Sequence, residues 1–345
     1  MRKVFFVTNS LTGGGAERAM NLICSKFALI HKEYEITLVP INKGQRDLVE
    51  PECRVVPIDR QWRGGFIDTF FSWLKFTTLI IRERPNVIVL NCALPELFAS
   101  LVPIPANVIV VEHSRNPWSG REFIGHLVRK ILKWRGAKFI SVSKHLGIWS
   151  LPEVECATIA NPVFQGVRRQ SDQKRKSITR LVFIGRLSAD KNPHEFIKIL
   201  EDTKFPGLVI GDGILLEELE ELARENSVIV KFIGHQVKPW EFLEEGDLLI
   251  VPSKFEGDGL VIVEAILGRF PLLLSDTEEF RRFQLHQFSY CCTTKGFVES
   301  IDRFATNIDG LVPSPQAVEK LERERSTISI IDSWRKALSM SVAEQ

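Results

Sequence analysis

Arg180-Leu-Val-Phe-Ile184-Gly185-Arg186-Leu-Ser-Ala-Asp-Lys191-Asn-Pro193 decides the fold of this chain. A short, continuously apolar run predicts a strand buried on both faces, as in a parallel sheet covered by helices. A glycine follows, then a loop carrying two cations, then a helical pattern. The same strand, loop and helix alternation surrounds this stretch on both sides. Upstream, strands are expected at Lys3–Thr8, Glu35–Pro40, Val55–Ile58, Val87–Leu90, Val108–Glu112, Phe139–Val142 and Thr158–Ala160. Downstream they are expected at Gly207–Ile210, Val228–Ile233, Asp247–Val251 and Pro271–Leu274. Helical patterns fill most of the gaps, which is a βαβ series.

Asn161-Pro162 and the polar, charged stretch from Arg168 to Ser177 interrupt the series. The expected organisation is an α/β chain of two Rossmann-like, doubly wound domains facing a central cleft. The first spans 1–161, the linker is 162–178, and the second spans 179–315. Helices at 316–345 follow, the last expected to cross back to the first domain. With 345 residues, two domains of ordinary size each bury their own core. Ligands of such sheets bind beyond the carboxyl ends of the strands, which places the site in the cleft.

The composition, 44% hydrophobic and 26% charged, is that of a soluble globular chain. Lys plus Arg number 45 against 43 Asp plus Glu, so no nucleic-acid partner is called for. The six cysteines form no Cys-x-x-Cys and no metal-spaced cluster with histidine, so buried free thiols in a reducing cytoplasm are expected. No apolar run reaches the roughly 20 residues of a membrane-spanning helix. The amino terminus enters a strand without the features of a signal peptide.

Glu256-Gly-Asp-Gly-Leu-Val-Ile-Val-Glu264 places two carboxylates seven residues apart, running from a glycine-broken turn into an apolar helix. Gly257 and Gly259 let the backbone approach a ligand, and the helix start offers N–H groups to an anion. Arg186 and Lys191 are placed to converge on a diphosphate from one strand-end loop. Strand-end glycines Gly185, Gly211 and Gly234 are candidates for lining a base and ribose pocket. The first strand runs into Gly13, Gly14 and Gly15, which is neither a dinucleotide fingerprint nor a phosphate-binding P-loop. His113, at a strand end, is placed to exchange hydrogen bonds with a sugar hydroxyl.

Together these residues resemble the retaining GT-B glycosyltransferases of family 4, the glycosyl transferases group 1 of bacterial lipopolysaccharide and polysaccharide synthesis. The resemblance runs from residue 1 to about 285. It implies that Arg186 and Lys191 hold the donor diphosphate, that Glu256 contacts the donor sugar, and that Glu264 binds the ribose. Gly14, Gly15, Gly185, Gly211, Gly234, Asp258, Gly259 and Leu260 complete the donor site, and His113 hydrogen-bonds the sugar. It further implies front-face attack of an acceptor hydroxyl, with retention but without the carboxylate nucleophile about 5 Å from an acid that retaining glycosidases use. The nucleotide sugar, a UDP-sugar in preference to a GDP-sugar, is a substrate; no cofactor is expected, and the absence of Asp-x-Asp fits a metal-independent site. Asp258 and Val261 stand where the family often has an aromatic and a proline, and Lys144 where it has glutamate. Asp258 is expected either to select a sugar hydroxyl or to cap the helix start.

Two first-domain stretches bear on the acceptor, a glycan or lipid-linked glycan. One is the aromatic-rich Phe66–Arg84, and the other is 118–138, a basic amphipathic helix whose Arg129, Lys130 and Lys133 either face an anionic membrane, the preferred reading, or are solvated outside an apolar face packed in the core. The expected location is therefore cytoplasmic and peripheral on the inner face of the cell membrane. The competing readings are a nucleotide-sugar epimerase and a non-catalytic subunit of a polysaccharide assembly complex.

Overall fold

The computed structural model describes residues 1–11, 14–44, 52–61, 64–102, 106–163 and 177–340. The chain divides into two compact units, one of Met1–Val163 with Arg325–Gln345 and the other of Phe164–Glu324. Gly13 and most of the charged stretch read as a linker lie outside the described residues.

The first unit contains β1 (Arg2–Thr8), α1 (Gly15–Ile30), β2 (Tyr34–Pro40), β3 (Arg54–Val55), α2 (Phe66–Glu83), β4 (Val87–Asn91), α3 (Ala93–Ser100), β5 (Asn107–Glu112), α4 (Glu122–Trp134), β6 (Lys138–Ser141) and β7 (Ala157–Thr158). Its seven strands pair in parallel in the order β3-β2-β1-β4-β5-β6-β7. Successive side chains of a strand point to opposite faces, so a sheet covered on both sides needs an unbroken apolar run. On β1, Phe5 and Val7 join Phe76 of α2, Phe98 of α3 and Val128 and Leu132 of α4 in one core. Each such fully buried side chain stabilises the unit by roughly 1.5–3 kcal/mol.

The second unit contains β8 (Arg180–Ile184), α5 (Pro193–Thr203), β9 (Gly207–Ile210), α6 (Leu216–Glu225), β10 (Val230–Phe232), β11 (Asp247–Val251), α7 (Leu260–Gly268), β12 (Leu272–Ser275), α8 (Glu278–Arg281), β13 (Tyr290–Cys291), α9 (Thr294–Phe304) and α10 (Pro315–Glu324). Its sheet is also parallel, in the order β10-β9-β8-β11-β12-β13.

The last helix, α11 (Thr327–Met340), belongs to the first unit. Its Trp334 meets Phe6 edge-on at 5.8 Å, on the side of β1 opposite Phe5. The Tyr34 hydroxyl lies 3.2 Å from Ser339 Oγ. Just before the helix, Arg325 donates to the Asn161 carbonyl at 3.0 Å.

In each sheet the order reverses direction beside the first strand of its series. The switch lies between β1 and β4 in the first unit and between β8 and β11 in the second. Loops leaving neighbouring strands at such a point diverge to opposite faces and open a crevice at the carboxyl ends.

Candidate active site

The second unit's switch point carries the charged residues singled out by the sequence. Arg186 leaves β8 and is exposed, and Lys191 closes the same loop before α5. The backbone N–H of Lys254, beyond β11, donates to the Asp190 carbonyl at 2.9 Å, which ties the two loops together. Lys191 Nζ consequently stands 2.5 Å from Glu256 Oε2, and Ser253 Oγ donates to Glu256 Oε1 at 3.0 Å. Both side chains of this pair keep some access to solvent, 22% for Lys191 and 14% for Glu256. The pair is an ammonium that a diphosphate can take over and a carboxylate that can then accept sugar hydroxyls.

Glycine at 211 is required by its surroundings. Its φ is +154°, and a Cβ there would lie 1.8 Å from the Gly185 carbonyl oxygen. The close approach arises because Gly185 N–H donates to Ile210 O at 3.0 Å while Gly211 N–H donates to Gly234 O at 2.9 Å. These bonds join Gly185, Gly211 and Gly234 at the ends of β8, β9 and β10. The result is a close approach of backbone to backbone at the three strand ends.

Gly259, with φ +65°, is the N-cap of α7, and Leu260 is the first residue of that helix. Glu264, one turn in, is 2% exposed, and Trp240 Nε1 donates to its Oε2 at 2.9 Å. Trp240 stacks on Phe270 at 4.9 Å, which holds the indole in place. Asp258 stands one residue outside the helix and is 6% exposed. Arg282 donates to its backbone carbonyl at 2.6 Å and lies 3.7 Å from its carboxylate. Trp240 and Arg282 had no role in the sequence reading. Each reaches its partner across 24 residues, and no local spacing signals such a contact.

A cavity of about 420 Å³ opens at the carboxyl ends of β11, β12 and β13, with Asn192, Glu195, Ser253, Asp276 and Cys292 in its lining. Arg186, Lys191, Glu256 and Glu264 are not among its lining residues, so it lies beside the charged pair and does not enclose it. Among the described residues, no group of three or more His, Cys, Asp or Glu is arranged to hold a metal ion. The six cysteines are free. Cys24 and Cys291 are buried as expected, whereas Cys292 is exposed, because β13 ends at Cys291 and the next residue turns outward.

In the first unit, Gly14 is the N-cap of α1 in extended conformation and Gly15 its first residue. His113 follows the last residue of β5 at the carboxyl edge, one strand away from the switch point. Asn91, at the end of β4, donates to Thr8 Oγ1 at 3.0 Å and so joins the ends of the two switch-point strands.

The expectation that Arg129 faces a membrane is corrected. Arg129 is fully buried and sits between two buried carboxylates. Its Nε and Nη2 donate to Glu96 at 3.0 and 2.9 Å, its Nη1 donates to Glu112, and Trp118 Nε1 donates to Glu96 at 3.0 Å. The reason is helical phase. Gly125, Val128, Arg129 and Leu132 form the buried stripe of α4, while Lys130 and Lys133 lie on its exposed side. Burial pushes the Glu112 carboxyl up, opposed by the guanidinium beside it. Burial also works against the charge on Arg129, but the two carboxylates outweigh it and hold the guanidinium protonated.

Residues 166–324 match the family described as glycosyl transferases group 1. The chain is a glycosyltransferase. Over 285 residues this glycosyltransferase is 24% identical to the GalNAc-alpha-(1->4)-GalNAc-alpha-(1->3)-diNAcBac-PP-undecaprenol alpha-1,4-N-acetyl-D-galactosaminyltransferase of Campylobacter jejuni, covering 77% of each chain. Its fold is similar to that of Anabaena HepE in complex with UDP and glucose, with a TM-score of 0.79 at 16% identity, covering 99% of this chain and 100% of that one. It is also similar to the lipopolysaccharide outer core galactosyltransferase WaaB, with a TM-score of 0.67 at 16% identity, covering 99% of this chain and 100% of that one. At these identities the two solved structures speak to fold alone, and that fold is GT-B.

Proposed function

We propose that the enzyme moves a hexosyl or N-acetylhexosaminyl group from a nucleotide sugar to a lipid-linked or polysaccharide glycan, with retention and without a metal ion. The observation that carries this reading is the Lys191–Glu256 pair at the switch point of the second sheet, on the loop that also bears Arg186. A nucleoside diphosphate brings negative charge that competes with Glu256 for Lys191. Once Lys191 turns to phosphate, Glu256 is left with acceptor oxygens facing the sugar hydroxyls. Donor binding thereby exchanges one ion pair for another, and sugar hydroxyls replace the ammonium as hydrogen-bond donors to Glu256.

The acceptor hydroxyl oxygen forms a bond to the anomeric carbon on the face from which the diphosphate leaves. The bond from that carbon to the phosphate oxygen breaks through an oxocarbenium-like state, and the departing phosphate takes the hydroxyl proton. Negative charge grows on the diphosphate, where Arg186, Lys191 and the backbone N–H groups at the start of α7 stabilise it without rearranging. Glu264 receives the ribose hydroxyls, with Trp240 fixing its carboxylate. HepE was solved with UDP, which favours a UDP-sugar. The Campylobacter relative is named for an undecaprenol diphosphate-linked glycan, which favours a lipid-linked acceptor.

The test is nucleotide release from a panel of nucleotide sugars, with and without a lipid-linked oligosaccharide, followed by NMR of the new anomeric linkage. Acceptor-dependent release with the donor's anomeric configuration supports the proposal. An inverted linkage overturns the front-face step. Donor conversion without acceptor identifies an epimerase, and absence of nucleotide binding identifies a non-catalytic subunit.

A further inference from the structure

Helix α2 is apolar on two sides. Phe76, Leu79 and Ile80 fill the core of the first unit, yet Phe66, Ile67, Phe70, Phe71, Leu74 and Ile81 are exposed, Phe66 by 86% and Ile67 by 72%. A helix that faces only water carries polar residues on its outer side, so the outer face of α2 is built for a partner. A second helix of the same layer repeats the pattern. On α4, Phe123, Ile124, Leu127 and Trp134 are exposed, Phe123 and Trp134 each by 84%. Four of the five exposed phenylalanines among the described residues lie on these two helices.

The two helices belong to one surface layer. Both contribute to the core that covers a single face of the sheet, and α3 lies between them in that core. Both follow strands of a parallel sheet and therefore run back from its carboxyl edge, so their aromatic first turns lie at the same end.

Charge selects the partner. The exposed positions of α2, α4 and their flanks carry Lys75, Arg121 and Lys130, together with Arg82 and Lys133, which pair with Glu83 and Glu153. The acids on these helices are engaged elsewhere. Asp68 accepts from Gln61 N–H, Glu83 is held by Lys3, Arg54 and Arg82, and Glu122 accepts from Gly120 N–H and Asn116. Aromatic and aliphatic residues ringed by cations fit an anionic bilayer surface, where rings enter the headgroup layer and lysines reach the lipid phosphates.

We propose that the outer faces of α2 and α4 form one docking surface for an anionic lipid bilayer, with the aromatic first half of α2 entering the interface. Arg129 takes no part, because it is sealed in the core. The purpose of the surface rests on the reading of a lipid-linked acceptor, but its test uses no acceptor.

The experiment is co-sedimentation of the full chain with phosphatidylcholine vesicles, neutral or containing about a third phosphatidylglycerol. The wild-type chain is expected to pellet with the anionic vesicles, less so as salt rises. The double variant Phe66→Ser/Phe70→Ser should lower vesicle partitioning about tenfold, while its thermal stabilisation by a nucleotide sugar stays as in wild type. Should that variant misfold, Ile67→Ser/Phe123→Ser probes the same surface from other turns. Absence of pelleting, or equal pelleting of the serine variants, overturns the proposal. So does light scattering that shows a dimer, without vesicles, that the serine variants dissociate, since the face would then be covered by a second copy. Vesicle binding with no transfer to any lipid-linked acceptor would sink the functional reading and leave the surface standing.

Discussion

The two units each place a basic side chain against carboxylates, and they do it to opposite ends. In the first, Arg129 lies between Glu96 and Glu112 with exposures of 0–1%, each of its three nitrogens donating to protein. In the second, Lys191 and Glu256 retain 22% and 14% exposure, and Arg186 on the same loop is exposed. A sealed pair fixes structure, because removing either partner strands a charge in the core. An open pair contributes little to stability and is available to a ligand. Burial, and not residue type, therefore separates the sealed cation from the open cations of this chain.

The largest expected effect breaks the sealed side. Arg129→Met leaves Glu96 and Glu112 without their cation and should destabilise the protein by about 3–5 kcal/mol in denaturant unfolding. A loss below about 1 kcal/mol would show that the network is not what holds α4 to its neighbours. The open side should behave in the reverse way. Lys191→Ala or Arg186→Ala should reduce turnover at least tenfold, about 1.4 kcal/mol of transition-state stabilisation, with little change in the unfolding midpoint. Turnover near wild type would remove these cations from the mechanism.

A smaller effect sharpens the contrast through pH. Burial holds the Glu112 carboxyl above its ordinary range, so the folded chain keeps a proton that the unfolded chain has already lost. The contribution is fully present below the unfolded value of about 4.3 and is lost as pH rises through the raised folded one. Glu112→Gln should therefore flatten the decline in Tm over that rise. An unchanged slope would place the titration elsewhere.

The fold was legible because both-face burial forces continuous apolar strands, and the runs at Lys3–Thr8 and Arg180–Ile184 declare them. The charged loops were legible as well, since Arg186, Lys191 and Glu256 each sit at a strand end or helix mouth. Their meeting was not. It depends on a backbone bond between Lys254 and Asp190, across 64 residues, that no spacing encodes. Trp240 beside Glu264 and Arg282 beside Asp258 were hidden for the same reason. Arg129 is a different case. Positions 125, 128, 129 and 132 form a helical stripe in the sequence itself, and reading charge before phase put the arginine on the wrong side of α4.

The central claim, that the open cations of the second unit hold a nucleoside diphosphate, is tested most directly by thermal shift with a panel of nucleotide sugars on wild type and on Arg186→Ala/Lys191→Ala. At a ligand concentration of roughly 100 times Kd, binding should stabilise the wild-type fold by about 2.7 kcal/mol. The account predicts that one nucleotide sugar raises the wild-type Tm and that the double variant, equally stable alone, loses most of that rise. An equal rise in both proteins would contradict it.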